Sequence, residues 1–342
     1  MRRLLSLTTG LAIALAAPAR AEPVTFTLAA PDAHEVFVAG EMTGWDEGKR
    51  AMRRDADGIW RATLDLEPGQ WLYKFVVDGG WVQDPATPDH DADGRGGQHS
   101  FVFVGDGPWR VPPGTPRGEV RAHPVASGNL GRSMTVNVYL PPGYRPGQQL
   151  PVLWLLHGGD MDAAQWFRTG HVERYMDRLL AAGAIHPFVI VMPSAGKEPY
   201  DGASDLFISQ ELPAWLDKTY GLHPGKAGSA LAGMSSGGYG TVALGVRHPA
   251  QYGFGVALSG WYPPALLKDV ADAPVLPGKF VIRCGSQDGL LPMNRALVDV
   301  LKQRGAAFDY REEAGAHTFH LWSHEVAAML EAVDGYFAQG WR

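Results

Sequence analysis

A serine in the second half of the chain stands in a context that suits nucleophilic catalysis. The segment Gly233-Met234-Ser235-Ser236-Gly237 fits the pattern Gly-x-Ser-x-Gly of a tight turn between a strand and a helix. Such a turn holds the serine exposed and strained, and its glycines allow close backbone packing. A serine hydroxyl also needs an oriented base to take its proton. The pattern therefore predicts a nucleophile at Ser235, with partners elsewhere in the chain.

The expected partners are a carboxylate and a histidine, in that order along the chain. Asp288 follows the apolar run 279–285, which predicts a strand, so it should lie at the carboxyl end of a sheet where α/β active sites gather. His317 and His320 both lie in a later glycine-containing segment, and either imidazole could be the base. Asp288 also suits a turn or helix cap, and His320 a partly buried structural position.

Backbone amides are the expected stabilisers of a tetrahedral oxyanion. The apolar run 151–156 predicts a central parallel strand and leads into His157-Gly158-Gly159. We assign the first donor to the N–H of Gly159, with Gly158 one peptide away as the alternative, and the second to the N–H of Ser236. His157 is interpreted as a residue that orders the loop.

Two folded regions must position these residues. Residues 22–106 contain short alternating strands separated by Asp-Gly and Pro-Gly turns, which predict a small all-β sandwich. Residues 107–119 are rich in proline and glycine and predict a stiff linker. Residues 120–342 carry the strand, turn and helix patterns described above and form the second domain.

The composition limits the classes of partner. The 342-residue chain has a formal net charge of −6, which argues against nucleic acid or an anionic membrane surface. Residues 1–21 combine Arg2-Arg3, a short apolar stretch and Ala19-Arg20-Ala21, and predict a secretory signal peptide cut before Glu22. The stretch is too short for a membrane span, so we expect a periplasmic or secreted protein. The single cysteine, Cys284, excludes an intramolecular disulfide and is interpreted as a buried small hydrophobe.

Six blocks from 120 to 342 resemble the esterase D-like or "putative esterase" group of α/β-hydrolases, which includes feruloyl, acetylxylan and enterochelin esterases. The blocks lie in the family's order: Val138–Tyr144, Leu155–Gly159, Val191–Pro193, Ala232–Gly238, Cys284–Asp288 and Gly315–Trp322. The resemblance implies an α/β-hydrolase fold, a Ser235-Asp288-His317 triad and no metal or organic cofactor. The family pattern His-Ser/Thr-aromatic-x-x-Trp puts the base on His317 rather than His320. Ser236 stands where Met or Leu is commoner, but only its backbone is needed.

The first domain resembles immunoglobulin-like glycogen-binding modules. The resemblance rests on Gly40–Trp45, Tyr73-Lys74-Phe75 and Asp78–Pro85. It implies that Trp45 and Trp81 stack on sugar rings and that Lys74 hydrogen-bonds hydroxyl groups. Ser100 stands where glucan-binding members have an asparagine, and many such modules are spacers or substrate-side walls. Stacking aromatics can equally be core residues.

Two further patterns in the sequence allow more than one interpretation. Residues 89–94 begin like a calcium loop, but Ser100 occupies the twelfth position where a bidentate glutamate is needed, so we interpret the segment as a solvated turn. Aromatic residues in loops after the strands are candidates for a substrate pocket or for packing: Trp166, Tyr200 and Trp261.

The predicted function is a secreted serine esterase acting on feruloyl or acetyl esters of plant polysaccharide or its fragments. The alternatives are a periplasmic enterochelin-type siderophore esterase and a non-catalytic glycan-binding protein on a hydrolase scaffold. Acyl transfer to a sugar is a variant of the first function. The expected partner is an ester substrate linked to carbohydrate, with no nucleic acid and no membrane insertion.

Overall fold

A computed structural model describes residues 20–88, 90–92, 96–195 and 200–341. The predicted signal peptide lies almost wholly outside the described residues, and so do Asp89, Asp93 and Gly94 of the calcium-like segment. Among the described residues, no helix combines the length and apolar character needed to cross a membrane.

The first domain is a sandwich of two antiparallel sheets. One sheet has the order β1-β4-β3, and the other has the order β2-β5-β8-β7 with β6 paired to β5. Alternating side chains such as Phe26, Trp60 and Phe75 fill the space between the sheets. The strands are β1 (Glu22–Ala29), β2 (Val36–Gly40), β3 (Arg53–Arg54), β4 (Ile59–Leu66), β5 (Gly69–Val77), β6 (Gly80–Val82), β7 (His90–Ala92) and β8 (Gln98–Val104).

The second domain is built on an eight-stranded sheet with the order β16-β15-β14-β13-β11-β12-β10-β9. The strands from β11 onward are parallel, whereas β9 and β10 pair antiparallel at one edge. The strands are β9 (Glu119–Ser127), β10 (Arg132–Leu140), β11 (Val152–Leu156), β12 (Val189–Pro193), β13 (Ser229–Met234), β14 (Phe254–Leu258), β15 (Lys279–Gly285) and β16 (Phe308–Glu313). The predicted architecture, an all-β module followed by an α/β domain, is confirmed.

Helices cover both faces of this sheet. The central strands are continuous apolar runs because both faces are buried. Alternate residues of β11 pack into opposite layers, with Trp154 on one side and Leu153 and Leu155 on the other. The helices are α1 (Gln165–Arg168), α2 (Val172–Ala181), α3 (Gly202–Leu206), α4 (Leu212–Tyr220), α5 (Ser236–Arg247), α6 (Pro264–Asp272), α7 (Leu291–Gln303) and α8 (Phe319–Gly340), and a π-helical turn over Phe207–Glu211 joins α3 to α4.

The segment predicted as a linker lies against the second domain. Trp109 is buried in the same apolar layer as α2 and α8. The Arg178 guanidinium donates to the carbonyl oxygens of Gly107 and Arg110 at 2.7 and 2.6 Å. The N–H of Gly118 donates to the Asp177 carboxylate at 2.8 Å. These contacts hold the connection in place.

The sandwich also docks directly on the second domain. The Gln70 side chain donates to the Thr169 carbonyl at 2.6 Å, and the Thr169 hydroxyl donates to the Asp91 carboxylate. The Trp71 ring stacks on His320 with 3.5 Å between ring centroids. A face of the sandwich therefore stands beside the carboxyl ends of the parallel strands, where the predicted site lies.

Candidate active site

Ser235 lies at the turn between β13 and α5 with φ 53° and ψ −117°. A positive φ is costly for a serine and persists only where the surroundings impose it. Here the N–H of Ser235 donates to the Leu258 carbonyl at 2.9 Å, and its own carbonyl accepts from Tyr239 at 3.0 Å and Trp261 at 3.2 Å. These bonds fix the strained turn and leave the side chain pointing into the cleft.

Two glycines beside Ser235 are required by backbone contact. A Cβ on Gly237 would lie 2.3 Å from the Leu156 carbonyl oxygen, and one on Gly233 would lie 2.5 Å from the backbone of Gly237. Neither contact can be relieved by moving a flexible side chain. The glycines of the motif therefore allow β13, β11 and α5 to pack closely enough to form the turn.

The structure brings Asp288 and His317 together with Ser235. His317 Nδ1 lies 2.8 Å from the Asp288 carboxylate, and Nε2 lies 3.0 Å from the Ser235 hydroxyl. The Asp288 side chain is fully buried, whereas that of His317 is 35% exposed. Asp288 follows β15 and His317 follows β16, so the three residues assemble at the carboxyl ends of the parallel strands.

The environment of Asp288 favours its ionised form. Burial alone would raise its pKa, but hydrogen bonds from His317, the Leu290 amide and the Ser259 hydroxyl outweigh burial and lower the pKa below its usual value. A charged Asp288 can accept from Nδ1–H and hold Nε2 as the basic nitrogen facing Ser235. Ser259 was missed by the sequence analysis, because a serine ending a buried strand carries no signal of its own.

His320, the rival base, is held in the interface between the domains. Its ring stacks on Trp71, and its Nδ1 lies 3.1 Å from the Gln70 carbonyl oxygen, which accepts the bond. Burial, together with the neighbouring His324, lowers the pKa of His320 to about 4, so the ring is neutral near pH 7. Only His317 of the two reaches Ser235.

The loop after β11 presents backbone amides beside Ser235. The N–H of Gly158 donates to the Gln165 side-chain oxygen at 2.8 Å, which commits that amide. A Cβ on Gly159 would lie 3.1 Å from the Ser236 hydroxyl, so this residue borders the start of α5. The N–H of Ser236 belongs to the first turn of α5 and has no partner inside the helix. This arrangement favours Gly159 over Gly158 as a donor.

His157 orders the same loop from within. Its Nδ1 lies 2.7 Å from the Gly158 carbonyl, and its Nε2 accepts from the Ala195 N–H at 3.0 Å. Burial lowers its pKa, which agrees with the neutral ring that accepts at Nε2. Gln165 completes the loop and was missed from sequence, since a glutamine before a tryptophan has no distinctive spacing.

Two of the three candidate pocket aromatics are packing residues. Trp166 is buried and its indole N–H donates to the Leu156 carbonyl at 2.8 Å. Tyr200 is buried and its hydroxyl donates to the His157 carbonyl at 2.9 Å. The expectation that they line the pocket is corrected, because both side chains point into the core. Trp261 is 39% exposed and packs against Tyr239, outside the residues that line the cleft.

A cleft of about 850 Å³ lies between the two domains and contains Ser235 and His317. The second domain contributes Gly158, Gly159 and Gln165 near the serine, and Phe319 and Trp322 from α8. The sandwich contributes the opposite wall: Glu41, Trp45, Glu47, Leu72, Lys74, Trp81, Gly96, Gly97 and His99. The three residues proposed from sequence for sugar contact therefore face the same cleft as the serine.

This opposite wall is aromatic. The Trp45 ring centroid lies 4.8 Å from that of His99 and 6.2 Å from that of Trp81. The Lys74 ammonium lies 5.9 Å from the Trp81 ring centroid, and the Trp81 indole N–H donates to Glu47 at 3.2 Å. Trp81 is 40% exposed, which leaves ring surface available for a flat apolar partner.

The described residues contain no cluster of three or more His, Cys, Asp or Glu side chains suited to a metal ion. Within the calcium-like segment, Asp91 accepts from the Thr169 hydroxyl and so belongs to the domain interface. Cys284 is buried, and burial raises its thiol pKa to about 12.

Comparisons with known proteins agree with the two-part fold. A family described as "Putative esterase" matches residues 127–333, and one described as the glycogen recognition site of AMP-activated protein kinase matches residues 22–96. An endo-1,4-beta-xylanase/feruloyl esterase of Xylanibacter ruminicola is 29% identical over 90% of this chain and 44% of its own length. The chain thus spans less than half of that relative.

Solved structures share the fold. A ferulic acid esterase matches 66% of this chain and 100% of its own, with 23% identity and a TM-score of 0.59. The enterobactin esterase of Shigella flexneri, solved in the presence of enterobactin, matches 92% of this chain and 93% of its own, with 19% identity and a TM-score of 0.74. The second likeness extends over both domains.

Proposed function

Because the chain belongs to the "Putative esterase" family, we propose that it is a serine hydrolase of carboxylic esters. The observation that carries the proposal is the unbroken series of hydrogen bonds from Ser235 through His317 to Asp288, at 3.0 and 2.8 Å. Ser235 is the nucleophile, His317 the general base and acid, and Asp288 the group that orients the imidazole.

The reaction proceeds through an acyl-enzyme. His317 Nε2 takes the hydroxyl proton of Ser235 as the oxygen attacks the ester carbonyl, and Asp288 stabilises the imidazolium that forms. The tetrahedral intermediate collapses as His317 returns the proton to the departing alcohol. Water then adds to the acyl-enzyme with His317 again as base, which releases the acid and restores Ser235.

The N–H groups of Gly159 and Ser236 stabilise the oxyanion in both steps. Removal of one such donor costs about 3–4 kcal/mol of transition-state stabilisation in other hydrolases. The bond between Gly158 and Gln165 supports this role, because it holds the loop with the next amide beside the serine.

The proposed substrates are feruloyl or acetyl esters on plant polysaccharide or its fragments. The relative named as a xylanase/feruloyl esterase supports this class. So does the wall of Trp45, Lys74 and Trp81, since aromatic rings suit the apolar faces of sugars and an ammonium group suits their hydroxyls. In this arrangement the carbohydrate part contacts the sandwich while the ester carbonyl faces Ser235.

A siderophore esterase is the second candidate, favoured by the likeness to the enterobactin esterase over both domains. The charges of the described cleft residues weigh against it. A single carboxylate, Glu47, accompanies the single ammonium of Lys74 in the wall facing the serine, and the Glu41 carboxyl beside them is bound to backbone amides. An anionic ferric catecholate would therefore meet no excess of positive charge in this wall, whereas a neutral sugar ester needs none.

We also propose that the protein acts outside the cytoplasm, in the periplasm or after secretion. The support is the predicted signal peptide over residues 1–21. Amino-terminal sequencing of the protein from its native host tests this, with Glu22 as the expected first residue and an intact Met1 as the contrary result.

The test of function compares residues 22–342 with the Ser235→Ala variant on p-nitrophenyl acetate, methyl ferulate, acetylated xylan and a catecholate triester. Serine-dependent release of ferulate or acetate from the carbohydrate-type substrates is expected. Preference for the catecholate would move the protein to the second candidate. Turnover of no ester would contradict the esterase proposal and favour a glycan-binding protein.

A further inference from the structure

Glu41 is a carboxylate of the sandwich that lies at the domain interface beside the cleft. It begins a 3₁₀ turn, Glu41–Thr43, directly after β2. A Cβ on Gly40 would lie 2.3 Å from the Leu72 carbonyl oxygen, so glycine permits the close approach of this turn to β5. The Thr43 hydroxyl bonds to both the amide and the carbonyl of Gly40. The sandwich therefore fixes the direction in which Glu41 leaves the chain.

The Glu41 carboxylate joins the two domains. One oxygen accepts from the Leu72 N–H of β5 at 3.0 Å, and the other accepts from the His320 N–H of α8 at 3.2 Å. Burial raises the pKa of Glu41 to about 7, and hydrogen bonds from the amides of Leu72, His320 and Phe319 act in the opposite direction. Both oxygens are thus committed to backbone donors.

The partners in α8 are amides that the helix itself cannot satisfy. The first N–H groups of any helix have no acceptor within it. Thr318 accepts from the Leu321 N–H at 3.4 Å, but the Phe319 and His320 amides turn to Glu41 in the other domain. A carboxylate at this end also faces the positive pole of the helix. The first turn of α8 is therefore held across the interface.

That turn sets the position of His317. The residue directly precedes Thr318, the N-cap of α8, so its backbone moves with the helix start. Its ring makes a T-shaped contact with the ring of Trp322 in the first turn of α8, with 4.8 Å between ring centroids. The two bonds made by the imidazole, to Asp288 and Ser235, leave little room for displacement.

We propose that Glu41 is a positioning residue for His317, an inference that rests on the proposed function. By holding the start of α8, a carboxylate of the sandwich keeps the imidazole aligned with Ser235. The sandwich then supports the chemical step as well as substrate binding. Glu41 acts through the backbone of α8 and exchanges no proton in the reaction.

The test is Glu41→Ala in the mature two-domain protein. Two rates are measured: labelling of Ser235 by a fluorophosphonate, and turnover of p-nitrophenyl acetate, a small ester. Both the labelling rate and kcat should fall about 10- to 100-fold, since a displacement of about 1 Å can have this effect. KM should stay within about twofold, because the variant leaves the binding of this ester alone. Glu41→Gln should recover part of the loss, since its amide oxygen can still accept one bond.

Asp78→Ala is the matched control. One Asp78 oxygen accepts from the amides of His34 and Glu35 at 2.9 Å each. Like Glu41, it is a carboxylate bound to backbone amides, but its partners belong to the sandwich and not to α8. Its labelling rate and kcat should equal those of the unmodified protein. Fluorophosphonate titration counts the active serines in each sample, so rates are compared per active site.

Unchanged rates in Glu41→Ala would overturn the proposal. So would an equal loss in both variants, or a loss explained entirely by fewer active serines, because either result indicates general destabilisation. If the unmodified protein is labelled at Ser235 but hydrolyses no ester, the proposed function fails while the labelling comparison still decides the role of Glu41. Absence of labelling in the unmodified protein would overturn both.

Discussion

The two walls of the cleft are built in opposite ways. On the second domain, Ser235, His317 and Asp288 are held by short hydrogen bonds, a buried carboxylate and a turn with positive φ. On the sandwich, Trp45 and Trp81 present partly exposed rings in tilted contact. The hydrogen bonds make the first wall rigid, which suits a reaction that needs its atoms placed within tenths of an ångström. The second wall presents aromatic surface that can accept different partners.

This difference suggests that chemistry and selectivity are carried by separate domains. Changes in the rigid wall should lower kcat for every ester, and changes in the aromatic wall should affect only substrates with a carbohydrate part. Glu41 is the point at which the two functions meet, since it belongs to the sandwich but contacts the helix that follows His317.

The largest effect is expected for Ser235→Ala. Loss of the nucleophile should lower kcat on p-nitrophenyl acetate by about 10⁵- to 10⁶-fold, as in other triad enzymes. The thermal midpoint should not fall, because alanine removes only the hydroxyl from the turn. Activity within about tenfold of the unmodified protein would show that another nucleophile is at work.

Asp288→Asn should have the next largest effect. An asparagine keeps the size of the side chain but stabilises the wrong imidazole tautomer, so kcat should fall by about 10³- to 10⁴-fold. Steady-state kinetics on methyl ferulate measure the change. A loss smaller than about tenfold would mean that the bond from His317 to Asp288 is not needed to orient the base.

The first two predictions concern residues that could be identified from sequence, because their signals are local. The turn that carries Ser235 is a five-residue pattern, and Asp288 follows a strand whose apolar run is easily seen. His317 was distinguished from His320 by the family pattern His-Ser/Thr-aromatic-x-x-Trp. The strands of the sandwich could also be predicted, from the alternation of apolar and polar residues and from the turn residues between them. Local patterns, together with the family resemblance, therefore predicted both folds and the residues that meet at the strand ends.

Other features depend on contacts between distant segments and left no local trace. Glu41 meets His320 across 279 positions of sequence, and no spacing rule connects them. Trp166 and Tyr200 were expected near the pocket because aromatic loop residues are common there, but residue type does not indicate which way a loop side chain points. The docking of the sandwich over the serine likewise depends on tertiary contacts.

The domain interface should weaken in acid because of His320. The pKa of His320 is about 4 in the folded protein, compared with an ordinary value of 6.5. As pH falls, the unfolded chain therefore binds the extra proton before the folded protein does. Through His320 alone, the free energy of unfolding should fall by up to about 3 kcal/mol as pH drops from about 6.5 to 4. Glu41, whose pKa burial raises to about 7, acts in the opposite direction, so the effect of His320 is measured as a difference. In urea unfolding across this range, the unmodified protein should lose more stability, or gain less, than His320→Gln. An identical pH dependence in both proteins would contradict this account.

The smallest effect is expected for Trp81→Ala. Loss of one stacking ring should raise KM for a feruloylated oligosaccharide about 3- to 10-fold, equivalent to about 1 kcal/mol. Turnover of p-nitrophenyl acetate should not change, and Trp81→Phe should retain most of the affinity. Equal losses on both substrates would mean that the aromatic wall supports the fold rather than the substrate.

Mass spectrometry of the acyl-enzyme tests the central claim most directly. The protein is mixed with excess methyl ferulate, quenched in acid within the first turnovers and digested. We predict a feruloyl group on the peptide that contains Ser235, and none in the Ser235→Ala variant. An acyl group on another residue, or one that still forms in the Ser235→Ala variant, would contradict a mechanism in which Ser235 is the nucleophile.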